Sequence, residues 1–478
     1  MLRTIGRRLF ILANLVGYWG LLPWAFLVAA QSVDRALHLP PLPLPAGIAL
    51  AVLGICAGSV LALWAAAVLF VCGAGLPIAL LPPARLVREG PYALSRHPLY
   101  LAFSATLLAW AGVSGSIGML ILLPGIVLAW AAYARLHEDP VLLHRYGQEF
   151  QAYRREVPFF LGASRRASWP GLLACLAYLA AKPLLHIFCG LRAAGREHVP
   201  LRGPAVVVAN HAGYLDPVFL VAAANRPIRF ITTGEMSRTP FKRWLFPHLG
   251  SIPIRRYRSD PQSVREVLRA LHHGEIVGLF PEGERSWDGN PLPVSRAVRH
   301  LLERVDAPIL PARIEGSYAV LPRWAGLPLP GRVDVRFLAP REAASAAQVD
   351  EILNALRGVS GGRTVLHRSA HGLERLLWAC PNCQAFGSIR SDRRGVRCEQ
   401  CGTAWELTRS LDLLDADGQR LSLSNVIERL PLPHPDEALS SRGPVDLLRG
   451  GETLELVATG RLEYRDGTLR VGEQSLGP

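Results

Sequence analysis

The chain has 478 residues, enough for two to four domains; half are hydrophobic and only 19% are charged. With a mean hydropathy of +0.22, that balance argues against a wholly soluble protein and for membrane spans. A formal net charge of +14 suits an anionic partner. The basic residues flank apolar segments and form no continuous tract, so an acidic lipid surface fits better than nucleic acid.

Residues 9–30 are apolar and long enough to cross a bilayer core of roughly 30 Å. No small-residue cleavage site follows a short core, so the segment reads as a retained anchor. Residues 44–84 carry no charge; one span at 45–72 is expected, then a segment broken by Gly73, Gly75, Pro77, Pro82 and Pro83. Residues 99–134 are also uncharged, and as one helix they would run on the order of 54 Å, too long for one crossing. Glycines 112, 115 and 118 offer a turn and predict a hairpin of two spans. Arginines cluster before the first span (Arg3, Arg7, Arg8), between the second and third (Arg85, Arg88, Arg96) and after the fourth (Arg135, Arg145, Arg154, Arg155, Arg165, Arg166). Four spans with both termini and both soluble modules on the inner face of the cytoplasmic membrane satisfy the positive-inside rule.

At a predicted membrane edge stands Gly90-Pro-Tyr92-Ala-Leu-Ser-Arg96-His97-Pro-Leu-Tyr100; after the hairpin come His137-Glu138-Asp139 and Tyr146-Gly-Gln-Glu-Phe150. The pair resembles the isoprenylcysteine carboxyl methyltransferase and phospholipid methyltransferase group of membrane enzymes. The resemblance implies that Arg96, His97, Tyr100 and Glu138 hold S-adenosylmethionine, with Tyr92 nearby. Asp139 departs from the second glutamate common in that group. A basic and aromatic belt anchoring the hairpin is the plainer use of the same residues.

Residues 169–191 are apolar but interrupted by Pro170, Lys182, Pro183 and His186, which predicts an interfacial helix leading into the next domain. A β-branched run, Ala205-Val-Val-Val-Ala, then stops at Asn210-His211, and an apolar segment opens behind Asp216-Pro217. Strand, polar turn and helix follow, with Asp216 as cap. A carboxylate five residues after a histidine can hold one ring nitrogen and leave the other as a base aimed at a hydroxyl. Gly250-Ser-Ile-Pro-Ile-Arg-Arg256, Phe280-Pro-Glu282-Gly283-Glu-Arg285 and Pro308-Ile-Leu-Pro311 come next in order. Together the four blocks resemble the glycerolipid acyltransferase family. The resemblance implies His211 as base, Asp216 as its orienting partner, and an acceptor site shaped by Asn210, Gly250, Arg256, Glu282, Gly283, Arg285 and Pro311. The donor would be acyl-CoA or an acyl carrier protein. Glu284 replaces the threonine usual in the third block, and an acid beside a phosphate is unfavourable unless it points away.

Cys56, Cys72, Cys175 and Cys189 read as small apolar residues. Cys380-Pro-Asn-Cys383, fourteen residues, then Cys398-Glu-Gln-Cys401 is a spacing suited to a tetrahedral, structural zinc. Ser388-Ile-Arg and Gly395-Val-Arg would form the hairpin of a zinc ribbon. Turn signals at Asp417-Gly418 and Asp466-Gly467 between strand-like runs predict a small β tail. The expected architecture is a multidomain integral membrane protein: an α-helical transmembrane domain of about four spans at 1–165, an α/β acyltransferase domain at 166–350, a zinc ribbon at 370–410 and a β tail at 411–478. The main activity expected is acyl transfer to a lysophospholipid or glycerol phosphate. Lipid methylation as the main activity, or a membrane scaffold without catalysis, are the competing assignments.

Overall fold

The computed structural model describes residues 17–73, 75, 83–160, 169–224, 226–233, 239–254, 260–294, 296–342, 346–356, 364–365 and 369–431, and the backbone of strands within 439–476. The chain divides after Leu179 into two compact units, residues 225–227 belonging to the first.

The first unit is helical. α1 (Leu22–Ala36) follows a π-helical turn (Gly17–Leu21); α2 is Leu44–Gly73, α3 Pro98–Ser114 and α4 Ile117–Tyr133. A second π turn, Ala134–Glu138, carries α4 into α5 (Asp139–Tyr146), and α6 (Gln148–Glu156) follows. Small residues let α2 and α3 approach closely in antiparallel fashion. A Cβ on Gly54 would lie 2.5 Å from the Ala109 nitrogen, and one on Gly58 would lie 3.0 Å from the Ala102 carbonyl oxygen. The hairpin turns at Gly115 alone, whose φ of +69° suits glycine. Gly112 and Gly118 lie against neighbouring helices instead, facing Gly47 and Ala51, and Ala30 and Asp34. α1 runs past the expected end at residue 30 because Asp34 is used within the unit: it accepts from the Ser116 hydroxyl and, at 2.6 Å, from the Gly118 nitrogen, capping α4. The expected segment before residue 17 lies outside the described residues.

The second unit opens with the end of α7 (Leu172–Cys189), which passes through Pro183 without breaking. A seven-stranded mixed sheet follows, in the order β1 (Arg192–Ala194), β7 (Asp334–Phe337), β6 (Ile309–Glu315), β2 (Ala205–Ala209), β5 (Ile276–Leu279), β3 (Ile228–Thr233), β4 (Ile252–Ile254). Its central strands are parallel, and β6 pairs antiparallel with β7. The alternation of β2 sends Val207 into a core with Phe219 and Leu220 of α8 (Asp216–Ala223), and with Leu185 and Cys189. Val206 and Val208 face the other core, against α10 (Pro261–His272), α11 (Arg296–Arg304) and α13 (Ala346–Leu356). Between β3 and β4 lies α9 (Pro240–His248), and α12 (Ser317–Val320) follows β6.

Beyond residue 370 a five-stranded antiparallel sheet runs β12 (Arg420–Leu421), β11 (Leu413–Leu414), β10 (Ala404–Leu407), β9 (Gly395–Cys398), β8 (Ile389–Ser391). The hairpin expected between the cysteine pairs is β8–β9, with Ile389 opposite Cys398. The sheet crosses residue 411, where the sequence suggested a boundary, and Leu413, Leu423 and Val426 join the same core. The small antiparallel sheet of the tail starts at Leu439.

Candidate active site and metal centre

β2 and β5 are parallel neighbours in a register that pairs Val208 with Leu279. Their carboxyl ends therefore deliver Asn210-His211 and Phe280-Pro281-Glu282 side by side, at the edge where ligands of α/β sheets gather. The Asn210 amide completes the sheet: its Nδ2 donates to the Ile314 carbonyl at 2.9 Å, and its Oδ1 accepts from the Ile314 nitrogen at 2.8 Å. The His211 main chain is fixed on both sides. Its nitrogen donates to Glu282 Oε1 at 3.1 Å, and its carbonyl accepts from the Ser286 nitrogen at 2.9 Å. The ring stacks on Phe280 with centroids 3.9 Å apart, and Phe280 stacks in turn on Phe230.

Asp216 Oδ2 lies 2.9 Å from His211 Nδ1 and accepts from the Gly213 nitrogen at 2.8 Å. Asp216 is fully buried, whereas 15% of the His211 side chain reaches solvent. The expected cap is one residue out. Leu215 precedes the helix, Asp216 is its first residue, and the carboxylate points back at the turn in place of the next N–H groups.

Glu282 is turned inward. Its two oxygens take the His211 nitrogen and, at 3.1 Å, the Leu292 nitrogen. Burial pushes its carboxyl up to about 7. Gly283 is exposed with φ +70°, and nothing among the described residues lies within 4 Å of where its Cβ would be. The Arg285 guanidinium sits 5.1 Å over the Tyr214 ring. Glu284, the departure in the third block, is paired with Arg323 at 3.1 Å; Arg323 also donates to the Arg285 carbonyl and stacks 3.5 Å over Trp287. Gly250 ends α9 with φ +83°, and its carbonyl accepts from Arg229 at 2.9 Å. Pro311 is inside the sheet, paired with Val208. Arg256 lies outside the described residues. Sequence reasoning missed Arg323, which belongs to none of the four blocks, and gave no role to Tyr214, which stands inside the first, or to the clamping Ser286.

In the first unit, Arg96, His97, Tyr100 and Glu138 converge, because α3 begins and the second π turn ends at the same level. His97 Nδ1 is 3.2 Å from Glu138, the Tyr100 hydroxyl donates to Glu138, and Arg96 reaches Asp139 at 3.3 Å. Asp139 thus joins the cluster, as do Phe159, over which Arg96 lies at 5.7 Å, and Trp130, stacked on Tyr100. Tyr92 is buried in the 3₁₀ turn Gly90–Ala93, its carbonyl accepting from the Tyr153 hydroxyl at 2.7 Å. The Tyr92 hydroxyl, Arg96 Nε and His97 Nε2 are buried and carry no hydrogen bond among the described residues. Such groups fit a polar molecule bound among them.

Cys380, Cys383, Cys398 and Cys401 bring their sulfurs within 4.8 Å of one another. Cys380 to Cys401 and Cys383 to Cys398 are each 3.7 Å. Four Zn–S bonds of about 2.3 Å in a tetrahedron put sulfurs about 3.8 Å apart, so the cluster has the right size for zinc. Each pair forms the same knuckle: nitrogens of Asn382 and Cys383 donate to Cys380 Sγ, and those of Gln400 and Cys401 to Cys398 Sγ. Positive φ at Gln384 and Gly402 turns the chain after each.

Residues 190–315 match the family model described as Acyltransferase, and residues 46–149 the one described as Phospholipid methyltransferase. A 1-acyl-sn-glycerol-3-phosphate acyltransferase of Bacillus subtilis (strain 168) is 25% identical over 138 residues, 29% of this chain and 68% of that protein. A lyso-ornithine lipid O-acyltransferase of Pseudomonas aeruginosa is 35% identical over 83 residues, 17% of this chain and 31% of that protein. For Brassica napus and Arabidopsis thaliana chloroplast relatives the chain spans only 38% and 48% of their length. The crystal structure of the 1-acyl-sn-glycerophosphate acyltransferase PlsC from Thermotoga maritima aligns with 49% of this chain and 93% of its own, at 21% identity and a TM-score of 0.34. Through its two matched segments, the chain carries an acyltransferase-family domain and a phospholipid methyltransferase-family domain.

Proposed function

We propose that the second unit transfers an acyl group from a coenzyme A or carrier-protein thioester to a hydroxyl of a lysophospholipid or glycerol phosphate. The observation that carries this reading is the 2.9 Å bond between His211 and Asp216, made by a histidine whose main chain is fixed on both sides. An ionised carboxylate only accepts hydrogen bonds, so Nδ1 holds the proton and Nε2 is left as the base. As the acceptor oxygen bonds to the thioester carbonyl carbon, its proton passes to Nε2. When the tetrahedral adduct collapses, the C–S bond breaks and the imidazolium returns the proton to the departing thiolate. Buried Asp216 stabilises the imidazolium in between.

Arg285 is the cation assigned to an acceptor phosphate, with the open backbone at Gly283 beside it and Arg256 joining by resemblance. Asn210 and Glu282 hold the His211 turn, Pro311 pairs with Val208 just before it, and Gly250 joins the acceptor site by resemblance. Arg323 neutralises Glu284, which removes the objection to a nearby phosphate. The test is thioester-dependent acylation of lysophosphatidic acid in membranes carrying the full chain, with a neutral lysolipid for comparison. His211→Ala should lower turnover at least about a hundredfold, and Arg285→Ala should act chiefly on acceptor KM. Undiminished activity in His211→Ala would refute the mechanism. Preference for the neutral lipid would keep the base and remove the phosphate assignment.

Three described helices are long and apolar enough to cross a membrane: Leu44–Gly73, Ile117–Tyr146 and Leu172–Cys189. We read four crossings with both termini and both soluble modules at the cytoplasmic side, and α7 at the interface. Leu185 and Cys189 belong to the α/β core, so residues 172–184 offer only about 20 Å of helix, short of a bilayer core of roughly 30 Å.

A second activity rests on the three buried polar atoms of Tyr92, Arg96 and His97 that carry no hydrogen bond among the described residues. Arg96, His97, Tyr100 and Glu138, with Tyr92, would hold S-adenosylmethionine, which when bound supplies an electrophilic methyl group. Glu138 suits the cofactor's amino group, and His97 and Arg96 its carboxylate. The cysteine cluster would hold a structural zinc, since four thiolates leave no open position for water.

A further inference from the structure

The ribbon and the acyl-transfer site share one core. Leu373, Leu377, Trp405 and Leu407 pack in a single buried cluster with Ala212, the neighbour of His211, and with Tyr318 and Trp324. Trp324 Nε1 donates to the Tyr318 hydroxyl at 3.3 Å, and that hydroxyl donates to the Trp287 carbonyl at 2.7 Å. The loop after Glu282 folds onto the same ring: a Cβ on Gly289 would lie 3.0 Å from Tyr318. Arg323, beside Trp324 in sequence, ties Glu284 and the Arg285 carbonyl. Main-chain contacts reinforce the join. Gly372 lies against the Trp324 carbonyl, the Val365 nitrogen donates to Pro330 at 2.8 Å, and the Thr364 nitrogen donates to Arg409 at 3.2 Å. Tyr318, Trp324 and the ribbon all lie outside the two matched family segments.

We infer that the four-cysteine ribbon positions the loop 282–292 through Trp324 and Tyr318, so that metal loading of the ribbon sets the acceptor side of the acyl-transfer site. Tyr318 is the positioning residue: its hydroxyl accepts from Trp324, which packs in the ribbon's core, and donates to the loop that carries Arg285. A metal-free ribbon loses the closed knuckles that hold β8–β9, the shared core loosens around Trp405 and Leu377, and Trp324 no longer fixes the Tyr318 hydroxyl. The loop that presents Arg285 then moves and loosens the Glu282 and Ser286 contacts to the His211 main chain, while Asp216 stays with α8.

This inference rests on the acyl-transfer reading for its kinetic arm only. Hydrogen exchange on the full chain in nanodiscs, before and after zinc is stripped with a chelator, should show faster exchange at Gly289, Asn290 and Leu292 together with the ribbon strands. Unchanged loop amides beside deprotected ribbon strands would overturn it. Tyr318→Phe keeps the ring and loses only the hydroxyl, so it should retain its metal and still deprotect the same loop amides. It should also raise the acceptor KM roughly fivefold, as expected for one lost hydrogen bond, with the thioester KM unchanged. A Tyr318→Phe chain with native loop exchange refutes the relay even if stripping unfolds the protein. Absence of all acyl transfer would sink the proposed function and leave the exchange result to decide the inference.

Discussion

Glu282 shows how one side chain can serve a site without facing it. As a carboxylate it accepts from both the His211 and Leu292 nitrogens, whereas a protonated acid or an amide accepts well at one oxygen only. Glu282→Gln should therefore leave one N–H without a partner and shift the His211 turn, lowering turnover by roughly tenfold, which corresponds to about 1.4 kcal/mol. The pH dependence has a definite sign. Burial raises the folded-state value from 4.5 to about 7, so the folded chain keeps a proton there that the unfolded chain has lost. That stabilisation is complete below about 4.5 and is lost as the pH rises through 7, a span of at most roughly 3 kcal/mol. The melting temperature of the detergent-solubilised chain, followed between pH 5 and 8, should fall more steeply for the native protein than for Glu282→Gln; parallel curves would assign the slope to other groups. The pairing of His211 with Asp216 was legible from a strand ending in a polar turn. The inward turn of Glu282 was not, because it depends on β2 and β5 being neighbours, a pairing across 71 residues. Nor could the sequence pair Glu284 with Arg323, since the partner stands 39 residues away on a segment with no motif.

At the level of elements, the four cysteines and the glycines of α2 carry the clearest expectations. The full chain should contain about one zinc, as a single tetrahedral thiolate site implies, and Cys398→Ser should lose it. Metal-free protein with an unaltered ribbon, measured by metal analysis and exchange, would count against the site. Gly54→Leu places a side chain where even a Cβ meets the Ala109 backbone at 2.5 Å. It should cost roughly 3 kcal/mol or more and lower the yield of folded chain, while Gly125→Leu, where nothing lies within 4 Å, should be tolerated. Helices and hairpins of this chain could be read from runs free of charge, but their ends could not. α1 continues to Ala36 because Asp34 caps α4, and α7 passes through Pro183. α4 continues into the π turn that carries Glu138, because charged residues at a helix end need not stop the helix when they have partners there. The ribbon's reach to Leu430 was hidden for the opposite reason: Leu411 and Leu413 look like the start of a new run, and only packing against Trp405 and Leu377 assigns them to the older one.

At the scale of the molecule, the two matched segments, 46–149 and 190–315, do not overlap, and each holds its own set of polar groups. Among the described residues, the first has buried polar atoms left without hydrogen bonds at Tyr92, Arg96 and His97; the second has the His211–Asp216 pair, formed through Asp216 Oδ2 while Oδ1 carries no hydrogen bond. If the two proposed activities are independent, single substitutions should separate them. His97→Ala removes the Nδ1 contact to Glu138 and the stacking on Tyr100, so binding of radiolabelled S-adenosylmethionine to the full chain in nanodiscs should fall at least tenfold, the scale of about 1.4 kcal/mol lost from a charge-assisted contact. Acylation of lysophosphatidic acid by the same preparation should stay within about twofold, as expected for sites on separate units with no shared partner residue. His211→Ala should give the reverse pattern, with cofactor binding intact and acyl transfer lost. If both substitutions abolish both properties, the sites are coupled and the chain works as one enzyme. If native protein binds no S-adenosylmethionine while acylating normally, the polar cluster around His97 is an anchor for the helix hairpin, and the orphaned atoms of Tyr92 and Arg96 serve a different polar molecule or the membrane interface itself.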